Sequence, residues 1–202
     1  MILLCDYYKD TMDDHQQTDE AVVIAALTDK EQFGILMDRY EKPLARYIAR
    51  LGIRNVDDQQ DVLQDIFLKV YRNLNGFDQR LKFSSWIYRI SHNEAISSYR
   101  KKNVRPEGHL VADSEEILSF VAGSMDSAEV EFDKTVNAET VNKALLSLDS
   151  KYSQVLLLRF FEHKEYDEIS DILQIPIGSV GTLIHRGKKQ LASVIKDDQI
   201  RI

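Results

Sequence analysis

The chain has 202 residues, 44% hydrophobic and 29% charged, with 8 Gly, 3 Pro and 1 Cys, a composition that excludes collagen, wholesale disorder and a disulfide framework. Cys5 has no partner for an internal disulfide, Met1-Ile2-Leu3-Leu4 is too short for a signal peptide, and no apolar run approaches the ~18 residues of a membrane span. A soluble, cytoplasmic protein is expected.

The net charge of −7 speaks, taken whole, against a nucleic-acid binder, but it is unevenly spread. Residues 1–20 hold one base and six acids, whereas Ile66 to Lys102 holds eight bases and two acids. Residues 103–138 swing back, with two bases and eight acids, and 139–202 balance at nine each. Local field, not total charge, decides where a polyanion lands.

The predicted elements follow in order. An acidic extension, residues 1–18, precedes a helical block over 19–102. There Phe33, Leu36, Met37, Tyr40, Leu44, Tyr47, Ile48 and Leu51 recur at spacings of three and four. Gly52 and Asn55 mark a break, Val56 to Leu74 is periodic again, Asn75-Gly76 reads as a turn, and Phe83 to Lys102 is helical. Residues 103–137 carry Pro106, Gly108, Gly123 and many acids, and read as a linker with at most a short helix around Glu115 to Val121. Helical periodicity returns over 138–196, in Val141 to Leu148, Ser153 to Phe161, Tyr166 to Leu173 and Gly178 to Ile195, and 197–202 reads as a tail. The fold class is all-α: two small helical domains joined by an acidic linker.

Three surfaces carry chemistry. On the helix through Asp61 to Leu74, Val62, Leu63, Ile66, Phe67, Val70 and Leu74 form the buried face, and Asp61, Gln64, Asp65, Leu68 and Arg72 point the other way. A leucine ringed by polar groups fits either a chance exposure or the anchor of a protein interface. On the helix after Phe83, Trp86, Arg89, Asn93 and Arg100 share a strip that continues into Lys101 and Lys102. The polar loop before it holds Asn75, Phe77, Asp78 and Lys82. Aromatics stack on unpaired bases while basic groups follow phosphates, the pattern of a single-strand binder, although Phe83 itself reads as core.

At the C-terminal end, a short helix, Gln174-Ile175-Pro176, and a longer helix with Val180, Ile184, Gly187 and Leu191 on one stripe make a helix-turn-helix. Its outer face carries Thr182, His185, Arg186 and Lys189, with Ser179 near the start and Lys188 beside them. Such a face fits either a solvated surface on a helical hairpin or one that supplies phosphate contacts and base readout in duplex DNA. The small Ser170 and Gly187, which permit close helix packing, favour the second.

Asp57-Asp58-Gln59-Gln60-Asp61 also matches the acidic pattern with which helical isoprenoid synthases hold magnesium. That chemistry needs a second acidic cluster across a large cavity, and another Asp pair of note, Asp197-Asp198, sits in the tail. No enzyme, metal, cofactor or small-molecule substrate is therefore expected.

Together, Asp61 to Arg72, then Phe83-Ser84-Ser85-Trp86-Ile87-Tyr88-Arg89-Ile90 with Asn93, Ala95-Ile96 and Arg100, resemble region 2 of extracytoplasmic-function (ECF) sigma factors, and Leu145 to Leu191 resembles their region 4. The resemblance implies that Asp61, Gln64, Asp65, Leu68 and Arg72 dock on core RNA polymerase, with Val155, Leu156 and Phe160 resting on its flap. It assigns Asn75, Phe77, Asp78, Lys82, Trp86, Arg89, Asn93, Arg100, Lys101 and Lys102 to opening the −10 promoter element. Ser179, Thr182, His185, Arg186, Lys188 and Lys189 fall to −35 recognition, and an anti-sigma factor is an implied partner. Gly181, Thr182 and Leu183 stand where relatives carry a basic residue, serine and arginine, and Ser97 stands where aspartate is usual. The acidic extension has no counterpart in the pattern; disorder and masking of the basic strip are both open. The rival reading is a stand-alone helix-turn-helix regulator with an N-terminal partner-binding domain.

Overall fold

In the computed structural model, the structure describes residues 17–102, 144–145 and 147–200, with side chains in the last helix through Ile195. Among these there are seven α-helices and no strand: α1 (Asp19–Thr28), α2 (Phe33–Arg50), α3 (Val56–Asn73), α4 (Phe83–Lys102), α5 (Ser150–Phe160), α6 (Tyr166–Leu173) and α7 (Ile177–Ile200). The acidic extension through Gln16, the reading of Glu115 to Val121 as a short helix, and the linker over 103–137 lie outside the described residues.

Local chemistry sets the helix ends. Thr18 accepts the Ala21 N–H at the start of α1. Gly52, at φ 107°, supplies the left-handed residue that ends α2, a conformation other side chains resist. Asn55 then caps α3 by accepting the N–H groups of Asp57 (2.8 Å) and Asp58 (3.2 Å). Asp57 and Asp58 thus sit in a first helical turn, where carboxylates complement the positive end of the helix. Among the described residues no group of three or more His, Cys, Asp or Glu is placed to hold a metal ion. No helix among them is long and apolar enough to cross a membrane.

Helices α1–α4 pack around Leu36, Leu44, Tyr47, Ile48, Ile66, Phe83 and Ile87, all fully buried. Within this core the Tyr47 hydroxyl lies 2.9 Å from Nδ1 of His92. Burial pushes the His92 imidazole down from 6.5 to about 4, so the ring is neutral and shares one hydrogen bond with the Tyr47 hydroxyl. An unfolded chain takes up this proton near pH 6.5, while the folded one resists until about pH 4. Stability therefore falls as pH drops through that window, by up to about 3 kcal/mol at its lower end. Urea titrations at pH 7 and pH 4.5 check this: the loss shrinks in a His92→Gln chain, and an equal loss in both proteins contradicts it.

The C-terminal helices α5–α7 enclose Val155, Leu158, Ile169, Ile172, Val180, Ile184 and Leu191. Asp149 caps α5 through the Lys151 N–H, so that helix starts at Ser150 and not at Ser153. At the other end, α7 continues through Asp197-Asp198 to Ile200, past the expected end at Ile195, because Lys196 to Gln199 contains no glycine or proline to stop it.

Candidate functional site

Along α3, Leu68 is 43% exposed, and it does not stand alone. Met37 of α2 and Tyr71 of α3 are about as exposed, and with Phe33, Leu63 and Phe67 they line an apolar groove of about 520 Å³ between α2 and α3. Asp38, Glu41, Gln60 and Gln64 complete its walls. Asp61 and Asp65 are exposed on α3. The groove thus offers an apolar floor with an acidic edge, a shape suited to an amphipathic helix carrying basic residues. Met37, Asp38 and Glu41 were not among the sequence-predicted site residues; Met37 follows the α2 core periodicity, and spacing alone does not show which flank of a stripe stays open. Arg72, grouped by sequence with Leu68, lines a different cavity.

That second cavity, of about 460 Å³, lies between the end of α3 and α4. Lys69, Arg72, Asn73, Trp86, Arg89 and Asn93 line it, so Trp86, Arg89 and Asn93 do come together as the strip implies. Lys69 is ion-paired with Glu94. The aromatic part differs from expectation. Phe77 and Trp86 are buried, with ring centroids 5.2 Å apart, and both pack against Phe83, Phe77 edge to face at 5.6 Å and Trp86 tilted at 5.7 Å. Neither is more than 8% exposed: a loop aromatic with apolar neighbours on α4 gains more by closing the core than by waiting in water. Trp86 serves the cavity as a wall.

The loop between α3 and α4 is braced from within. Arg80 clasps Asp78 with two nitrogens, Nη2 to Oδ2 at 2.7 Å and Nε to Oδ1 at 2.9 Å. These bonds hold the Asp78 carboxyl at about 2, so it is ionised throughout the physiological range. Asn75 is exposed beside the turn, and the α4 start is fixed by Glu20, whose carboxylate accepts the Phe83 N–H at 2.9 Å. Arg100 and Lys101 are exposed at the far end of α4, and the Lys102 side chain lies outside the described residues.

In the helix-turn-helix, Gln174 takes the left-handed conformation, and the Ser170 hydroxyl donates to the Ile175 carbonyl at 2.6 Å, tying the turn to α6. Gly187 lets α7 approach α5: a Cβ there would lie 3.2 Å from Leu156 Cδ1 and 3.3 Å from Tyr152 Cβ. Thr182, His185, Arg186 and Lys189 are exposed on one side of α7, and Ser179 is half-buried. Lys188 instead leans over the Phe160 ring, 5.2 Å from its centroid, and partial burial lowers its pKa. Val155, Leu156 and Phe160 are buried in this domain, so in this state they hold its core and offer no surface to a partner.

The two groups of helices touch where sequence gave no warning. Helix α6 lies on α4, and the contact is built from charges. Arg89 pairs with Asp171 at 2.8 Å, and Lys82 stands 3.6 Å from Glu168, which also accepts the Ser84 hydroxyl at 3.0 Å. Arg50 meets Glu162 at 2.7 Å, and the Tyr88 hydroxyl donates to the other oxygen of Glu162 at 2.7 Å. Burial pulls the Lys164 ammonium below its ordinary value against Glu168 and Glu162, which support its charge. Burial works to raise the Glu168 carboxyl, but the Glu165 N–H, Lys164, the Ser84 hydroxyl and Lys82 together keep it below the usual range.

The Sigma-70 region 2 family model matches residues 36–105, which hold the polar cavity and all of the groove lining except Phe33, and the Sigma-70 region 4 model matches residues 138–191, which hold the helix-turn-helix. The ECF RNA polymerase sigma factor SigW of Bacillus subtilis is 32% identical over 84% of this chain and 91% of its own length. The chain belongs to the ECF sigma factors. The ECF RNA polymerase sigma-E factor of Haemophilus influenzae is 29% identical over 90% of this chain and 97% of its own. Among solved structures, CnrH, in complex with the cytosolic domain of CnrY, superposes with a TM-score of 0.65 at 22% identity, over 90% of this chain and 99% of that one. The Bartonella quintana sigma factor RpoE, in complex with the anti-sigma factor NepR, gives 0.53 at 19% identity, over 79% and 98%. At these identities the superpositions establish the fold. This is not a family of enzymes.

Proposed function

We propose that this ECF sigma factor directs core RNA polymerase to specific promoters and assists their opening, with its three surfaces dividing the work. The observation that carries the reading is the juxtaposition on one small bundle of an apolar groove with an acidic edge and, around α4, a basic polar cavity, followed by a separate helix-turn-helix. The groove, with Leu68, Met37 and Tyr71 exposed beside Gln64 and Asp65, docks on the polymerase. Arg72, Arg89, Asn93, Arg100 and Lys101 hold the −10 strand, the cavity receiving an unpaired base while the exposed cations follow phosphate. Thr182, His185, Arg186 and Lys189 of α7 contact the −35 duplex, Arg186 and Lys189 supplying charge and Thr182 and His185 reading base edges.

The anti-sigma factor NepR bound to the Bartonella quintana sigma factor RpoE supports a further partner of that kind for this chain. The domain division follows from the same reading: region 2 over 19–102, region 4 over 138–196, and the acidic segment between them passing toward the path of the RNA. Gly181 and Leu183 contribute no charge to the recognition helix, so −35 binding rests on fewer cations than a basic residue and arginine at those places would give.

The test is co-elution with bacterial core polymerase in size-exclusion chromatography. The sigma reading predicts a stoichiometric complex. A chain that stays separate from polymerase and instead binds duplex DNA alone as a dimer is the stand-alone regulator.

A further inference from the structure

We infer that Ile177 is a specificity-determining residue of the duplex site, its side chain reading the methyl group of a thymine in the −35 element. The inference deepens the reading of α7 as the −35 helix and rests on it. Ile177 is the first residue of α7 and is 57% exposed, more than any other large apolar side chain described in the C-terminal helices. On the same helix Val180 and Ile184 are buried, at 0% and 5%, and gain what Ile177 forgoes in water. The start of a recognition helix is the part that meets base edges in the major groove. Cα–Cβ bonds tilt toward the N-terminus of their helix, so the first side chain projects ahead of the helix end. Ile177 therefore leads Thr182 and His185 into the groove, although it sits about 140° round the helix from Thr182.

The surroundings of Ile177 suit that contact. Pro176 accepts the Ser179 N–H at 2.8 Å, which fixes the start of α7. Pro176 and Gly178 are exposed on either side of Ile177, and a Cβ on Gly178 would meet nothing within 4 Å, so the tip of the helix is narrow and uncovered. One turn on, Gly181 puts bare backbone beside the Tyr166 ring, where a Cβ would lie 3.4 Å from Cε2. Residues 175–184 contain no charged and no amide side chain. A basic residue at the tip would turn to phosphate or to guanine, and an amide to adenine. An isoleucine has neither course and gains only by shielding an apolar group from water. Of the four bases, thymine alone offers one in the major groove, its methyl. Discrimination at this end of α7 thus comes from apolar contact, while Arg186 and Lys189, further along, supply affinity.

The test uses the full-length chain with core polymerase and a duplex taken from the strongest start that depends on the chain. In this duplex the thymines of the −35 element are replaced one at a time by uracil, which pairs as thymine does and lacks only the methyl group. Fluorescence anisotropy of the labelled duplex gives the affinity. Uracil at one position is expected to weaken binding by the parent chain about four-fold, the worth of one buried methyl. In Ile177→Ala the same exchange is expected to change affinity by less than about 1.5-fold, whereas Ile177→Val keeps the sensitivity. Ile177 is exposed, so these replacements leave the core in place. Arg186→Ala serves as the contrast and weakens binding to the thymine and uracil duplexes alike. A −35 element without thymine, or a parent chain indifferent to every uracil, overturns the inference. A loss of the same size in Ile177→Ala gives the methyl to another residue and overturns it as well. Polymerase co-elution is scored in parallel: its absence removes the sigma reading, whereas intact co-elution with indifference to uracil removes the role of Ile177 only.

Discussion

Replacing Leu68 and Asp65 together by arginine abolishes the binding of core polymerase, with a loss of at least about 100-fold in affinity, while the fold stands. Leu68 is 43% exposed at the lip of the groove, and Asp65 is exposed a turn before it. Neither belongs to the buried set of α3, which is Val62, Leu63, Ile66, Phe67 and Val70, so their exchange leaves the core untouched. An apolar anchor at the centre of an interface costs about 2 kcal/mol or more when lost, and each 1.4 kcal/mol is about a factor of ten. Reversing the charge of Asp65 adds repulsion against a basic partner. A fluorescence titration with labelled core polymerase measures the effect. An affinity within about three-fold of the parent, in a variant with parental helicity, contradicts the assignment of this groove.

The second large effect is on stability. Trp86→Ala costs the N-terminal bundle about 3–5 kcal/mol, because the indole is 8% exposed and packs against both Phe77 and Phe83. Trp86→Phe keeps the ring contacts and loses much less. Equilibrium unfolding in urea separates the two. A loss below about 1 kcal/mol for Trp86→Ala means that the ring is not part of the core, and restores it as a platform on which a base could stack. With the expected loss, failed promoter opening in Trp86→Ala reports on folding, and Asn93→Ala becomes the cleaner probe of the cavity, since Asn93 is exposed.

Much of the architecture was readable because its signals are local. Phe83 and Lys102 bound α4 as periodicity placed them, Gly52 and Asn55 punctuate the chain through a positive φ and an N-cap, and Gln174 to Pro176 separate the two helices of the C-terminal motif. The exposed set on α7 follows from one angle per residue. Other features were not local. Met37 shares the spacing of Leu36 and Tyr40, yet it is 40% exposed where they are buried. Phe77 lies in a polar loop, and its burial depends on Phe83 and Trp86, which arrive from α4. Val155, Leu156 and Phe160 read equally as a docking face or as a core until Gly187 brings α7 against Leu156. The pairing of Arg50 with Glu162 joins residues far apart in the chain and has no period to announce it.

The central claim is that this chain lends promoter choice to polymerase, and mapping transcript starts tests it most directly. Core polymerase with and without the chain is incubated with sheared genomic DNA of its source, and the RNA 5′ ends are sequenced. The account predicts a small set of starts that depend on the chain, preceded by two shared upstream elements, with the set lost in the Leu68→Arg/Asp65→Arg variant. The same starts with core polymerase alone, or starts with no shared upstream sequence, would contradict it.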